Sequence, residues 1–179
     1  MIYFISDTHF DHKGSLRWPN GAARHFSSVE EMNKTMIDNW NSVVKEGDTV
    51  YHLGDFCYKA RNWLIKEIMN QLNGTIIFIK GNHDTQTLKI NQQIDRFASV
   101  HERLELDYKY NRVNYHFVLD HFPLESWNLM ESGSIHLHGH IHEKILSPIK
   151  NRRNVSVEVI KYTPIDIETI IIDNLINNI

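Results

Sequence analysis

At residues 75–84 the chain reads Thr75-Ile76-Ile77-Phe78-Ile79-Lys80-Gly81-Asn82-His83-Asp84, a β-branched and aromatic run followed by a glycine and three polar residues. The apolar run predicts a short buried β-strand, and the glycine marks the loop where that strand ends. The same order occurs upstream, where residues 2–5 lead into Asp7-Thr8-His9 and residues 49–53 lead into Gly54-Asp55. Because strand ends gather distant residues around one point, we expect these polar loops to converge.

The apolar residues around these loops predict a layered α/β domain whose first half reads β-α-β-α-β. Strands are expected near residues 2–6, 49–53 and 75–79. The first helix is expected to begin at Ser28, because Ser28 and Glu31 fit a capping box ahead of a core-facing apolar stripe. The second helix is expected over about residues 60–73, with Gly74 as its stop.

Beyond about residue 98 the pattern changes to shorter strand-like stretches, which predict an antiparallel or mixed sheet. These strands are expected near residues 104–110, 113–119, 134–138 and 155–160. Asn111-Arg112 predicts a tight hairpin turn, although arginine is unfavourable where such a turn needs a positive φ. Thr163, Pro164 and Asp166 mark the start of a last helix that carries Ile167, Ile170, Ile171, Leu175 and Ile176. We expect one domain over residues 1–179.

Composition limits the classes of function. The chain has no apolar run near the roughly 20 residues needed to cross a bilayer, and its strand-like start at Ile2 leaves no room for a signal peptide. We therefore expect a cytoplasmic protein that does not enter membranes. The net charge of −3 disfavours broad binding to nucleic-acid backbones and favours a small substrate. Cys57, the only cysteine, is expected to pack in the core.

The polar loops carry the ligand types of a paired divalent-metal site. Asp7 and His9 are separated by one residue, so both side chains would point the same way from an extended chain. Asp55 follows a strand and a glycine, which allows its carboxylate to bridge two ions, and Asn82 adds a neutral amide oxygen. Gly139-His140-Ile141-His142 repeats the one-residue spacing with two imidazoles, which favour transition metals over magnesium or calcium. Together these ligands indicate hydrolysis of a phosphate ester.

The chain carries, in order, the motifs Asp7-Thr8-His9, Gly54-Asp55, Gly81-Asn82-His83-Asp84, His121 and Gly139-His140-Ile141-His142. Over nearly its whole length it thereby resembles the calcineurin-like metallophosphoesterase superfamily. The resemblance implies a four-layer α/β (α+β) fold, in which two mixed β-sheets pack as a sandwich flanked by helices. It also implies two divalent transition-metal ions, with manganese expected and iron, zinc, nickel or cobalt as alternatives. The first ion would be held by Asp7, His9, Asp55 and His142, and the second by Asp55, Asn82, His121 and His140.

Two such ions would polarise the phosphate and activate a shared water as hydroxide for attack on phosphorus. His83 is expected to assist the departing alkoxide, and Asp84 to orient His83. The expected reaction is hydrolysis of a phosphodiester, or of a phosphomonoester, in a small nucleotide-type substrate.

Four further residues, His12, Lys13, Arg17 and Arg24, are candidates for binding that substrate. Near them Trp18 pairs an indole with cations and could stack on a base. A second hypothesis is a nuclease that acts on DNA or RNA ends, which the acidic charge balance disfavours. A third is a noncatalytic interaction scaffold, but no motif position is missing here. The sequence leaves the oligomeric state open.

Overall fold

Two mixed β-sheets and four α-helices make up the structure, a computed structural model that describes residues 1–19, 23–144 and 146–177. Asn20, Gly21 and Ala22, which belong to the loop with the predicted substrate-binding arginines, lie outside the described residues. The first half of the chain has the expected β-α-β-α-β order. The α-helices are α1 (Val29–Val43), α2 (Asn62–Gln71), α3 (Thr85–Ile94) and α4 (Ile167–Asn177).

The strands fall into a five-stranded and a four-stranded sheet. They are β1 (Ile2–Ile5), β2 (Thr49–His52), β3 (Thr75–Ile79), β4 (Phe97–His101), β5 (Arg103–Tyr110), β6 (Val113–Asp120), β7 (Ile135–His138), β8 (Arg152–Asn154) and β9 (Ile165–Asp166). The first sheet has the order β4-β3-β2-β1-β9, parallel except for the antiparallel β9. The second has the order β5-β6-β7-β8, in which only β5 and β6 are antiparallel.

Two apolar cores hold these layers together. In the first core α1, α2 and α3 pack against the first sheet, where Trp40 is fully buried and the Phe78 ring stacks on Phe97 with centroids 4.4 Å apart. The two sheets share the second core, in which the Phe4 and Phe117 rings stack at 6.1 Å. Helix α4 adds buried isoleucines to this second core. The predicted sandwich of two mixed sheets with helices is confirmed.

The helix ends follow the predicted signals with one change of partner. The Ser28 hydroxyl accepts a hydrogen bond from the Glu31 amide at 3.1 Å, but the Glu31 carboxylate accepts from the Ser27 amide, not from that of Ser28. Helix α2 ends earlier than expected, because Leu72 is already extended as its C-cap, and Gly74 takes a φ of 83° two residues further on. Asp166 caps α4 by accepting from the Thr169 amide at 2.8 Å. No helix in the described part of the chain is both long and apolar enough to span a bilayer.

The strand predicted over residues 155–160 is wrong. Strand β8 ends at Asn154, Ser156 forms only an isolated bridge with Ser6, and the chain then enters turns. The alternating pattern has another cause, because Val155 is buried in the core shared by the sheets and Val157 in the helix-covered core. The segment therefore crosses between two cores, and each valine fills one of them.

The sequence pattern did not predict helix α3 and strand β4. Both carry few buried residues, and α3 buries only Thr87 and Ile90, so its apolar stripe is short. The predicted hairpin turn is confirmed, since Tyr110 pairs with Val113 around a two-residue loop. Arg112 adopts the unfavourable left-handed conformation there, with φ of 69°.

Replacement of Trp40 by alanine is expected to lower the free energy of unfolding by about 3–5 kcal/mol, because it leaves a large cavity in the first core. The change also removes the hydrogen bond from the indole nitrogen to the Asn73 carbonyl, at 3.0 Å. Trp63→Ala is the matched control, since the Trp63 side chain is 62% exposed. Urea denaturation of both variants measures the difference, and equal losses would contradict this description of the core.

His52 is expected to make stability depend on pH. It is fully buried in β2, and burial lowers its pKa to about 3. An unfolded chain binds a proton at this residue below a pH of about 6.5. The stability contributed by the neutral ring is therefore complete above that pH and falls as the pH decreases toward about 3.

Between about pH 7 and about pH 5, the wild type should lose about 2 kcal/mol of unfolding free energy relative to a His52→Asn variant. Denaturation curves across this range measure the loss. The exposed His25 provides the control, because His25→Asn should keep the pH dependence of the wild type. Parallel curves for the wild type and His52→Asn would show that this histidine does not titrate as described.

Candidate metal centre

The polar loops meet at the carboxyl ends of five strands, three from the first sheet and two from the second. They bring together all seven predicted ligands: Asp7 and His9 after β1, Asp55 after β2, Asn82 after β3, His121 after β6, and His140 and His142 after β7. Two subsets are especially compact, because their ligand atoms all lie within 4.8 Å of one another. These subsets are Asp7, His9 and His142, and Asp7, Asp55 and His121.

Asp7 is fully buried, and its two carboxylate oxygens have different roles. Its Oδ2 accepts hydrogen bonds from the His140 amide and the Ser156 hydroxyl, each at 2.9 Å. Its Oδ1 lies 3.9 Å from His9 Nε2 and 4.0 Å from His142 Nε2. Two atoms that bind one ion at about 2.0–2.2 Å each are at most about 4.4 Å apart, so both distances permit a shared ion. One oxygen therefore anchors Asp7, and the other faces two imidazoles.

Asp55 is buried, and its two oxygens also have different roles. Its Oδ1 accepts a hydrogen bond from the His83 amide at 2.8 Å. Its Oδ2 lies 3.6 Å from His9 Nε2 and 3.5 Å from His121 Nε2. Burial raises the pKa of the Asp55 carboxyl, so its charged form needs a nearby positive charge. Oδ2 stands between a histidine of the first sheet and one of the second.

Two of the histidines are held in a fixed orientation by their second ring nitrogen. His121 Nδ1 lies 2.7 Å from the Leu53 carbonyl oxygen, which can only accept, so Nδ1 donates and Nε2 faces the site. His142 Nδ1 lies 3.0 Å from Glu158 Oε1. Burial lowers the pKa of His142, but the hydrogen bond and charge of Glu158 outweigh it and raise the pKa overall. Partners of this kind are typical of metal-binding histidines.

Asn82 completes the cluster on its solvent-exposed side. Its Oδ1 lies 3.1 Å from His121 Nε2 and 2.9 Å from His140 Nδ1. Asn82 is exposed, whereas Asp7, His9, Asp55 and His121 are buried. The site is therefore open to a substrate on the Asn82 side.

The chemistry of these donors fits divalent transition-metal ions. Asp7 Oδ1 and both ring nitrogens of His9 are buried without a hydrogen-bond partner among the described residues. Each such atom would cost about 1–3 kcal/mol if nothing bound it. Burial also lowers the pKa of His9 well below its usual range, which favours the neutral form that binds metal. A mixture of carboxylate, imidazole and amide donors suits manganese, iron, zinc, nickel or cobalt.

The backbone is left-handed at five of the seven candidate ligands. The φ angles are 57° at Asp7, 44° at His9, 57° at Asp55, 71° at His140 and 52° at His142. The spacing of Asp7 and His9 predicted that both side chains would point the same way from an extended chain. The chain is not extended there, because two left-handed residues bend it around Thr8. Such conformations cost of order 1–3 kcal/mol each and cluster at functional sites.

Gly54 allows two of the loops to approach closely. Its φ is 91°, and a Cβ at this position would lie 2.6 Å from the Gly81 nitrogen and 2.7 Å from His121 Nδ1. Any side chain would push the β3 loop and His121 away. The motif glycines are therefore needed for contact between loops as well as for local turns.

Asp84 does not orient His83, and that prediction is wrong. Its carboxylate is fully buried and accepts hydrogen bonds from the amides of Gly81 at 2.7 Å, Asp55 at 2.7 Å and Phe56 at 3.0 Å. The described residues show no hydrogen bond from Asp84 to the His83 ring. Asp84 occupies the N-cap position of α3, but its carboxylate makes no capping hydrogen bond to that helix and binds the loop amides instead. Asp84 therefore positions the loop that carries Asp55.

His83 lies at the border of the cluster. Its ring centroid is 5.8 Å from that of His9 and 4.4 Å from that of Tyr58. Its backbone amide is fixed by Asp55. The ring is thus close to the ligands without belonging to the compact subsets, which suits a group that acts on substrate.

Arg24 is not available to a substrate, so its predicted role is also wrong. Its side chain is fully buried, and the guanidinium donates to the carbonyl oxygens of Asp7 at 2.6 Å and Thr8 at 2.7 Å. The same group donates from Nε to Glu158 Oε1 at 2.9 Å. The sequence analysis assigned no role to Glu158. The signal that could have identified it is its position as a lone acid within the apolar run 155–160.

The remaining substrate candidates lie beside the cluster. Lys13 and Arg17 are exposed on a short 3-10 helix, Lys13–Arg17, and stay predictions. His12 is half-buried with its ring centroid 5.6 Å from that of His9, and burial lowers its pKa to about 4. Trp18 packs edge-on against His142 at 4.6 Å and so forms a wall of the site.

Other residues support the fold. Cys57 is buried, and burial raises the pKa of its thiol to about 12, which agrees with the predicted packing role. His136 lies below the ligands and contacts the Val118 carbonyl at 3.0 Å. His138 contacts the Gly139 carbonyl at 2.9 Å. These contacts agree with histidines that support the sheet.

The structure therefore defines an α/β sandwich with a cluster of metal-ligand side chains at its strand ends. The sequence profile of calcineurin-like phosphoesterases matches residues 1–177. The chain belongs to the calcineurin-like phosphoesterase family, and it is thereby a metal-dependent phosphoester hydrolase.

Similar proteins come from an archaeon, a phage and a bacterium. The chain is 41% identical over 177 residues to the uncharacterized protein MJ1445 of Methanocaldococcus jannaschii, covering 95% of this chain and 89% of the relative. It is 28% identical over 180 residues to the Gene 66 protein of Mycobacterium phage L5, covering 88% and 85%. A crystal structure of the protein of unknown function AQ665 from Aquifex aeolicus shares the fold, with a TM-score of 0.72, 24% identity and 98% coverage of both chains.

Replacement of Glu158 by glutamine is expected to weaken binding of manganese about tenfold, as is typical when the partner of a metal-binding histidine is removed. The change removes the charge that supports His142 Nδ1 and leaves the buried Arg24 without its ion pair. Isothermal titration of metal-free protein measures the affinity. Glu143→Gln, which removes an exposed carboxylate next to His142, is the control. Unchanged affinity in the folded Glu158 variant would refute this role.

Proposed function

We propose that the protein hydrolyses a phosphodiester in a small nucleotide-type substrate, using two divalent transition-metal ions, with manganese as the expected metal. One observation carries the proposal. Asp7 and Asp55 each bind the protein through one carboxylate oxygen and turn the other toward a space shared with imidazole nitrogens. Buried carboxylates arranged in this way suit a pair of cations.

The two ions would share Asp55 as a ligand. The first would be bound by Asp7, His9, Asp55 and His142, and the second by Asp55, Asn82, His121 and His140. When bound, they would supply the positive charge that polarises a phosphoester and lowers the pKa of water. Because Asn82 is exposed, the substrate would approach from its side.

His83 would act on the leaving group. Hydrolysis forms a bond between water oxygen and phosphorus and breaks the bond to the leaving oxygen, which must then receive a proton. A ring nitrogen of His83 would deliver it, because this imidazole stands at the edge of the ligand cluster, 5.8 Å from the His9 ring. The products would be an alcohol and a phosphomonoester.

The surrounding residues would hold this geometry. The Tyr58 ring packs on the His83 ring with centroids 4.4 Å apart. The hydrogen bond from the His83 backbone amide to the Asp55 carboxylate connects the proposed proton donor to the proposed shared ligand. Trp18 shields the His142 side. Asp84 supports His83 only indirectly, through the loop that it organises. Proton delivery and metal binding would therefore share one rigid loop.

The proposal is tested by hydrolysis of bis-p-nitrophenyl phosphate and p-nitrophenyl phosphate by metal-stripped protein refilled with manganese. We expect the diester to be cleaved faster and a chelator to abolish turnover. His83→Ala should lower kcat about 10²–10⁴-fold, the usual contribution of general acid catalysis. Manganese binding by this variant, measured by titration calorimetry, should stay close to that of the wild type.

His116→Ala is the matched control, because His116 contacts Asp107 and Glu105 on the second sheet and is remote from the ligands in the fold. It should retain full activity. If wild-type protein with two bound manganese ions cleaved neither substrate, the proposed function would be rejected in favour of a scaffold.

A further inference from the structure

We propose that the substrate carries a second phosphoryl group on its leaving-group side, bound by Lys59 and Lys89 in a cavity beside His83. The inference rests on the proposed function and extends it to the class of substrate. The cavity has a volume of about 560 Å³. Its lining includes Asn82 and His83, so it is continuous with the candidate metal centre.

The charge of this cavity is opposite to that of the whole chain. The chain has a net charge of −3, yet the described residues that line the cavity include two lysines and no aspartate or glutamate. Both lysines are exposed. The other lining side chains are mostly amides and hydroxyls, with Ile90 as the aliphatic member. Such a surface suits a hydrated anionic group better than an apolar one.

The backbone beside Lys59 is held by helix α3. Its backbone is left-handed, with φ of 51°, a conformation that needs support in a residue other than glycine. Gln86 of α3 supplies that support at the next residue, because its side chain donates to the Ala60 carbonyl at 2.7 Å and accepts from the Ala60 amide at 3.2 Å. The Lys59 ammonium lies 5.2 Å from the centroid of the Tyr58 ring, which itself packs on His83. The cation is thus one aromatic ring away from the proposed proton donor.

Lys89 also lines the cavity, from helix α3. Thr85, Lys89 and Gln93 are spaced four residues apart and line the cavity as one face of the helix. This row extends about 12 Å from the start of α3, at about 1.5 Å per residue. The cavity therefore extends along α3 away from His83, and it has one lysine on the helix and one on the loop before α2.

The position of His83 decides which part of the substrate occupies the cavity. The group that receives the proton from His83 is the leaving oxygen, so the portion attached to that oxygen extends past His83. A terminal phosphoryl group carries a charge of about −1.5 to −2 at neutral pH, which two lysines can balance. After the scissile bond breaks, the departing alcohol would keep this second phosphoryl group.

The test compares three dinucleotides with manganese-loaded protein: thymidylyl-thymidine and its forms with a 5′- or a 3′-terminal phosphate. We expect one phosphorylated form to exceed the unphosphorylated one in kcat/KM by about tenfold or more. The double variant Lys59→Gln/Lys89→Gln should remove that preference. Lys109→Gln removes the same charge near the hairpin end of β5, away from His121, and should keep it.

A binding measurement separates this inference from the proposed function. Thymidine 3′,5′-bisphosphate should bind the wild type about tenfold more tightly than thymidine 5′-monophosphate, and the double variant should bind both equally. Failure of manganese-loaded wild type to cleave either bis-p-nitrophenyl phosphate or p-nitrophenyl phosphate would reject the proposed function alone. Equal affinity of the wild type for the two nucleotides, or a preference that survives in the double variant, would overturn the inference.

A 5′-phosphorylated oligothymidylate distinguishes the two sources of such a group. Turnover as fast as that of the phosphorylated dinucleotide would assign the cavity to nucleic-acid ends. Turnover at least about tenfold slower would assign it to small nucleotides. Either result is consistent with a second phosphoryl group as the feature that is bound.

Discussion

A single buried carboxylate, that of Asp84, joins the loops on which the metal centre depends. It accepts hydrogen bonds from the amides of Gly81, Asp55 and Phe56, which belong to the loops after β2 and β3. A buried carboxylate is costly unless it is hydrogen-bonded, and three amide donors supply what water would otherwise provide. The β1 loop in turn bonds to the β2 loop, with the Asp7 amide 3.0 Å from the Gly54 carbonyl, so hydrogen bonds connect all three loops that carry ligands of the first sheet.

Hydrogen bonds to a buried carboxylate also connect the loops of the two sheets. Asp7 bonds to the His140 amide and to Ser156, so a ligand of the first sheet fixes a loop of the second. The left-handed backbone at most of the candidate ligands is tolerated because these contacts hold it from several sides. Contacts of this kind preorganise the ligands, which reduces the reorganisation that ion binding requires.

Family membership and the individual contacts explain different aspects of the molecule. The match over residues 1–177 accounts for a metal-dependent phosphoester hydrolase. The Arg24 and Glu158 pair explains how this chain supports His142 from behind. The cationic cavity beside His83 concerns the choice of substrate, which lies outside what the family alone specifies.

The sequence by itself determined three of the five strands of the first sheet, the capped start of α1 and the seven residues that cluster at the strand ends. These features are readable because β-branched runs, caps and glycine-ended loops are local patterns. Only the tertiary structure decided that Asp84 bonds to backbone amides, that residues 155–160 cross between cores, and that Arg24 is buried. The physical reason is that these outcomes depend on contacts between distant segments, as in the Arg24–Glu158 pair, whose members are 134 residues apart. Contacts between residues so far apart in the chain are not encoded in the local periodicity of the sequence.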